Sequence, residues 1–270
     1  MKIHKYPRTR HVEGSRLQLG DSADDKAFAE LVGKHLVVEE KVDGANCAIS
    51  FPNGQLTLQS RGHVLAGGGR ERHFSLLKTW ASCHQGLFSE VLGQRYIMYG
   101  EWLYAKHTVF YDALPHYFME FDVLDLERGE FLSTEARRAL LTGLPVMPVP
   151  VLNEGTISSV KEMVGYVRPS LYKTNGWRDA LSEAAEASGS RADMVEKQTE
   201  DSDLAEGLYL KEEADGVVTG RYKYVRSDFV QAITSSDGHW LDRPILPNRL
   251  ADGVDIFAPT LGVKGAYDET

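Results

Sequence analysis

The stretch from Ala45 to Arg61 constrains the fold more tightly than any other part of this chain. Ala45 to Phe51 alternates, with Cys47, Ile49 and Phe51 on one face and Asn46, Ala48 and Ser50 on the other. Asn53-Gly54 follows, and Gln55 to Arg61 alternates again. Asn-Gly accepts the positive φ that a two-residue turn between twisted strands requires, so the pattern predicts an antiparallel hairpin with these two residues at its tip. That register pairs Phe51 with Leu56 and Ile49 with Leu58 on the buried face, and sets Asn46 against Arg61. The hairpin returns Arg61 beside the preceding segment VVEEKVDG, an apolar run broken by two glutamates, a lysine, an aspartate and a glycine.

The rest of the chain mixes both periodicities. Tyr96 to Tyr104 and His116 to Asp125 are rich in aromatic and β-branched residues and predict central strands, as do Glu206 to Glu212 and Gly216 to Arg226. Helical spacing runs from Phe74 to Leu92, Ser133 caps a short helix ending near Gly143, and Ser158 and Trp177 open further helical stretches. Gly62 to Arg72, with three successive glycines, reads as a mobile loop. Ser188 to Asp203 is polar and reads as solvated, within a polar, partly helical insertion over 158–205. Hairpinned strands that do not alternate regularly with helices predict an α+β fold of antiparallel β-sheets flanked by helices.

Charge and cysteine usage narrow the function. A net charge of -9 excludes a surface that coats nucleic acid indiscriminately, while leaving room for a local basic groove. Arg8, Arg10, Arg16, Arg61, Arg70 and Arg72 are candidates for such a phosphate-contacting surface. Two cysteines, Cys47 and Cys83, give neither a disulfide framework nor a CxxC metal pair and suit a reducing cytoplasm. No signal-peptide core and no apolar run long enough to span a bilayer occur, so a soluble cytoplasmic protein with no membrane partner is expected. His11, His63 and His73 read as surface residues rather than metal ligands. Walker, HExxH and GxSxG motifs are absent, so any use of ATP has to depend on other groups.

Lys41 is the residue that poses the chemical question. A lysine before a turn can be a solvated charge, or a nucleophile. A nucleophile has to be neutral when it attacks, and bringing a pKa of about 10.4 to near neutrality costs about 4 kcal/mol, supplied by desolvation, neighbouring cations or a metal ion. The second reading therefore requires charged groups from elsewhere to converge on Lys41.

Such groups occur as an ordered series. KVDG at Lys41 to Gly44, SRG at Ser60 to Gly62, GE at Gly100-Glu101, FD at Phe121-Asp122, EGLYLK at Glu206 to Lys211 and RYK at Arg221 to Lys223 resemble the six ordered motifs of the covalent nucleotidyltransferases. That superfamily comprises RNA ligases, DNA ligases and mRNA capping enzymes, and shares an ATP-grasp-like nucleotidyltransferase domain. The resemblance spans Lys41 to Arg226.

The resemblance implies a role for each position. Lys41 would attack the α-phosphate of ATP and hold AMP, presented by a turn that Asp43 and Gly44 shape, with Glu40 beside it in the nucleotide-binding set. Arg61 would lie near the sugar or the incoming 3′-hydroxyl. Glu101 would hydrogen-bond the ribose and Phe121 would stack on the purine. Glu206 would hold a divalent ion, Mg2+ or Mn2+. Lys223, with Arg221 and Lys211, would neutralise the triphosphate and stabilise developing charge. Arg221 stands where the ligase pattern commonly has a lysine; arginine keeps the charge but does not donate a proton as lysine does.

Within the superfamily the sequence is most similar to RNA ligases, particularly the group typified by the phage RNA ligase of the second type. The 44 residues after Arg226 are fewer than a complete oligonucleotide-binding barrel needs. Residues 1–226 are therefore expected to form the adenylyltransferase domain and 227–270 a short extension. The implied function is ATP-dependent RNA ligation in RNA repair. A lysyl-AMP intermediate would act on RNA with 5′-phosphate and 3′-hydroxyl ends, including a nicked duplex. A DNA ligase, a capping-type transferase and a non-catalytic nucleotide or nucleic-acid sensor of the same fold are the alternatives.

Overall fold

Asn53 and Gly54 adopt φ of 55° and 73°, and the strands they join pair Ile49 with Leu58 and Cys47 with Ser60, the register the alternation predicts. This hairpin belongs to a mixed α+β fold seen in a computed structural model, which describes residues 3–17, 25–229 and 245–259. Residues 230–244 and 260–270 of the expected C-terminal extension lie outside the described residues.

Two largely antiparallel sheets make up the fold. The first has the order β10 (Val151–Gly155), β3 (Leu36–Lys41), β11 (Gly207–Ala214), β12 (Val217–Val225), β1 (Arg10–Val12) and β2 (Asp25–Lys26). The second runs β5 (Thr57–Ser60), β4 (Ala45–Ser50), β6 (Tyr96–Trp102), β7 (Phe118–Asp125) and β8 (Glu130–Phe131), with β9 (Met147–Pro148) also pairing with β7. Lys41 is the last residue of β3 and Ala45 the first of β4, so Val42-Asp43-Gly44 is the crossing between the sheets. The charged interruption in VVEEKVDG therefore marks the point where the chain leaves one sheet for the other.

Each sheet buries its outer face separately. Leu77, Trp80, Phe88 and Leu92, from α1 (Ser75–Cys83) and α2 (Gln85–Leu92), pack into one core with Ile49, Met98, Phe118 and Val123 of the second sheet. Val38, Leu208, Leu210 and Tyr222 of the first sheet pack with Ile157 and with Met163 from α4 (Val160–Val164). Ala48 and Ser50, on the face opposite Cys47 and Ile49, are also buried, because the inner face of the second sheet is covered as well: Tyr6, Ala48, Ile97 and Tyr99 cluster there.

The helices form as the capping residues dictate. Ser133 Oγ accepts the Ala136 N–H at the start of α3 (Thr134–Leu141), and Ser159, one residue after the expected Ser158, caps α4. Trp177 opens α5 (Trp177–Ala187), which buries Trp177, Leu181 and Ala184 against Phe110 and Leu246.

Of three expectations, the first and third are corrected and the second holds. The stretch read as a mobile loop closes into a 3-10 helix over Gly69–Phe74, because Glu71, itself buried, accepts the Gly67 N–H and pairs with Lys78. The segment read as solvated contains α6 (Ala192–Lys197), which buries none of its residues. His11 and His73 are buried rather than on the surface. No helix among the described residues is long and apolar enough to cross a membrane.

Candidate active site

A cavity of about 1010 Å3 opens between the sheets where β3 ends. Lys41 Nζ donates to Glu206 Oε2 at 2.6 Å, with the lysine side chain 24% exposed and the glutamate 1%. The sheet register explains the meeting: Lys41 lies opposite Gly207, so the residue just before β11 is carried to the lysine.

The crossing loop is fixed from three sides. Asp43 Oδ2 accepts the N–H groups of Thr108 and Val109 at 2.7 and 2.9 Å, and the Asp43 N–H donates to Tyr111 Oη at 2.9 Å. The Gly44 N–H bonds the Glu101 carboxylate. A Cβ at Gly44 would stand 2.7 Å from both the Trp102 carbonyl oxygen and Leu103 Cδ2, so only glycine lets the loop press this closely on β6.

Phe121 is aimed by a β-bulge. Tyr99 pairs with Asp122 and Gly100 with Glu120, leaving Phe121 unopposed on β7. Its ring lines the cavity, edge-on to Tyr6 at 5.1 Å and 6.4 Å from Tyr209. Lys223 lines the same cavity from β12, in register with Tyr209 on one side and His11 on the other. Arg61 lines it just past the end of β5, on the extension of the hairpin register that points to Asn46.

The electrostatics are those of an acidic cradle. Burial alone would lower the Lys41 pKa, but Glu206, Asp43 and Glu101 outweigh it and hold the group above its ordinary value. The resting amine thus favours the cationic form and has to lose a proton before it attacks. Burial pushes Glu101 up to about 8, with Lys41 opposing and Asp43 and Glu206 adding to the rise.

A divalent cation would relieve the carboxylate charge here, and Glu206 is the residue placed to hold one. Among the described residues no group of three His, Cys, Asp or Glu side chains is arranged to bind a metal. A cation here would complete its shell with water and phosphate oxygens, the habit of magnesium.

Two expected ligands are not in the cavity, and a third is committed elsewhere. Lys211 is 1% exposed; its Nζ donates to Glu39 Oε1 at 2.9 Å and to the Phe121 carbonyl, and lies 3.5 Å from Asp122 Oδ1. Arg221 Nε donates to Asp122 Oδ2 at 2.9 Å and its guanidinium stacks on Phe131 at 3.8 Å. Both belong to a buried network in which Arg137 of α3 bonds Glu39 and Glu120, so three cations balance three carboxylates beneath the cavity. Glu40 lines the cavity, but its carboxylate accepts from the Ser170 hydroxyl at 2.5 Å and the Leu171 N–H at 3.3 Å.

Sequence reasoning missed Tyr6, Tyr209, Tyr111 and Arg137. Each acts through a partner far along the chain, and only the density of cations in KYPRTR gave any signal that the first residues matter.

A family model described as RNA ligase matches residues 34–225. Among solved structures, an archaeal ATP-dependent RNA ligase, form 2, is similar at 20% identity and a TM-score of 0.49, covering 83% of this chain and 48% of that one. A Naegleria gruberi RNA ligase mutant with ATP and Mn is similar at 16% identity and a TM-score of 0.48, covering 81% and 59%. The Naegleria gruberi RNA ligase with PPi gives 16%, 0.47, 81% and 59%. The chain thus spans between about half and three-fifths of the length of these structures. No curated protein matches it.

Proposed function

The chain belongs to the RNA ligase family, and from that premise we propose that it is an ATP-dependent RNA ligase that carries AMP on Lys41 and joins an RNA 5′-phosphate to a 3′-hydroxyl. The observation that carries this reading is the Lys41–Glu206 contact of 2.6 Å inside a cavity also lined by Glu101, Phe121 and Lys223. A cavity of about 1010 Å3 lies at the upper end of the range for ligand pockets, enough for a nucleotide and the end of a strand.

In the first transfer the Lys41 ammonium gives up two of its three protons, the first to Glu206 before attack and the second to solvent once its nitrogen has bonded the α-phosphorus of ATP. The bond from that phosphorus to the β-phosphate oxygen breaks and pyrophosphate leaves. Phe121 stacks on the base and Glu101 bonds the ribose. Lys223 faces the negative charge that develops on the phosphate oxygens. A magnesium or manganese ion held by Glu206 would supply further neutralisation of those oxygens. In the second transfer an oxygen of the RNA 5′-phosphate takes AMP from Lys41, the P–N bond breaks and the nitrogen regains two protons to return to the ammonium. In the third the 3′-hydroxyl oxygen attacks the RNA phosphorus, loses its proton and displaces AMP.

The catalytic unit in this reading is residues 1–226, with 158–205 as an insertion. The extension 227–270 contributes Asn248, whose side chain accepts the Tyr111 N–H and donates to the Leu103 carbonyl behind the crossing loop. A role in RNA repair in a reducing cytoplasm fits the two free thiols of Cys47 and Cys83. The test is incubation with α-labelled ATP followed by chase with nicked RNA, nicked DNA and RNA splinted on DNA. Label on Lys41 that passes to RNA supports the reading. Transfer from GTP alone points to a capping enzyme, sealing confined to DNA to a DNA ligase, and absence of label to a sensor.

A further inference from the structure

Lys5 to Arg10 precede the segment the family model matches, yet they form one wall of the cavity that contains Lys41. This wall is anchored along its whole length. Gln59 Nε2 and Tyr99 Oη, both of the second sheet, donate to the His4 carbonyl at 2.8 Å each. Tyr6 is buried; its hydroxyl donates to Asp122 and meets Tyr209 Oη at 2.7 Å, while its ring packs on Tyr99, Phe121 and Phe131. Thr9 Oγ1 meets the same Tyr209 hydroxyl at 3.1 Å, and β1 then pairs with β12 at Arg10–Tyr222 and His11–Lys223. Pro7 removes one backbone rotation from the span between these anchors.

The side chains this anchored backbone exposes are cations. Lys5 and Arg8 are exposed at the cavity wall, whereas Arg10, opposite Tyr222, shares the outer face of the sheet with that residue and acts on Glu30. With Arg61 and Lys223, Lys5 and Arg8 make four cations around a cavity whose floor is Glu206, Glu101 and Asp43, in a chain of net charge -9. Of the six arginines that the sequence offers as a phosphate surface, Arg8, Arg10 and Arg61 line the cavity; Arg16 instead bonds the Ser227 carbonyl. A concave site with one acidic and one basic wall orients a polyanion, placing its most charged groups on the basic side.

We infer that Lys5 and Arg8 form a prebuilt phosphate-binding wall. It engages a phosphate group beyond the AMP moiety, either the β,γ-phosphates that leave as pyrophosphate or the 5′-phosphate of the incoming RNA. The inference rests on the ligase reading for the identity of these two sources. Because the backbone is fixed before binding, little ordering entropy opposes the contact, and the Arg8 guanidinium can chelate two phosphate oxygens.

The test compares the wild-type chain with the double variant Lys5→Ala/Arg8→Ala by isothermal titration with inorganic pyrophosphate, and with single-stranded RNA bearing a 5′-phosphate or a 5′-hydroxyl. A loss of about tenfold or more in pyrophosphate affinity assigns the wall to the leaving group. Collapse of the preference for 5′-phosphate over 5′-hydroxyl RNA assigns it to the incoming end, with the salt slope falling by about 1.4 for two lost contacts on a single strand. The charge-preserving variant Lys5→Arg, which leaves Arg8 in place, keeps the affinity in either case. Titrations unchanged within about twofold would overturn the inference. So would an equal loss in Arg128→Ala/Lys161→Ala, which removes the same charge outside the cavity. Wild-type Lys41 that takes no label from ATP sinks the ligase reading but leaves the pyrophosphate titration to decide the wall. Normal labelling with unmoved titrations sinks the inference alone.

Discussion

Replacing Glu206 by glutamine removes a charge 2.6 Å from Lys41 Nζ while keeping the size of the side chain. In the resting site, carboxylates outweigh the burial that would otherwise lower the lysine pKa, and Glu206 is the largest of them. An opposite charge at close range moves a pKa by about 1 to 3, so Glu206→Gln lowers that of Lys41 by this amount, a change of about 1.4 to 4 kcal/mol in the cost of deprotonation. At a fixed pH below both values the neutral fraction rises by about ten- to a thousandfold, one decade for each step of one in pKa. The 24% exposure of the lysine side chain lets a small acylating reagent reach it. Competitive acetylation across a pH series, read by mass spectrometry on the peptide containing Lys41, measures this in the absence of ATP and metal. Faster acetylation, with its pH midpoint shifted down, is expected, together with slower AMP capture because Glu206 no longer serves as proton acceptor or metal ligand. An acetylation profile that coincides with wild type would refute the claim that Glu206 sets the state of this amine.

Other perturbations probe the supports of the site. Gly44→Ala drives a Cβ to 2.7 Å from the Trp102 carbonyl oxygen, and a loss of about 1–3 kcal/mol in urea unfolding at unchanged m-value is expected, with slowed labelling of Lys41. Lys211→Met leaves the buried Glu39 and Asp122 short of one cation and is expected to lower stability by about 3–5 kcal/mol; a midpoint within error of wild type would show that the network is not needed. Glu101, raised to about 8 in the folded chain, keeps its proton where the unfolded chain has lost it. Its contribution is therefore fully present below the unfolded value and is lost as pH rises to about 8. Glu101→Gln abolishes that slope, so the stability of the variant gains on wild type between about pH 4.5 and 8, measurable as a pH series of unfolding midpoints.

Local signals gave the sequence its legible part. The Asn53-Gly54 turn carries its own backbone preference, and so fixed the hairpin register to the residue; the Ser133 cap and the strand at Tyr96 were readable for the same reason. KVDG was legible because lysine, aspartate and glycine each do something there that few residues can: one ends a strand in the cavity, one gathers two N–H groups, and one tolerates contact with β6. What stayed hidden was non-local. Lys211 and Arg221 look like ligands in a strand pattern, and only the approach of Glu39 and Asp122 across the interior shows that their charge is already matched. The aim of Phe121 depends on a bulge set by pairing with β6, which alternation along β7 does not reveal. His11 looked like a surface residue because nothing in its neighbours says that β1 joins the first sheet beside β12.

The most direct measurement is the position of AMP after incubation with ATP and magnesium: intact mass first, then fragmentation of the peptide spanning Val37 to Phe51. One AMP on Lys41, released by hydroxylamine or acid as a phosphoamide should be, and absent from Lys41→Ala, is the predicted result. Label that persists in Lys41→Ala, or that maps to any other residue of the wild type, would contradict the account.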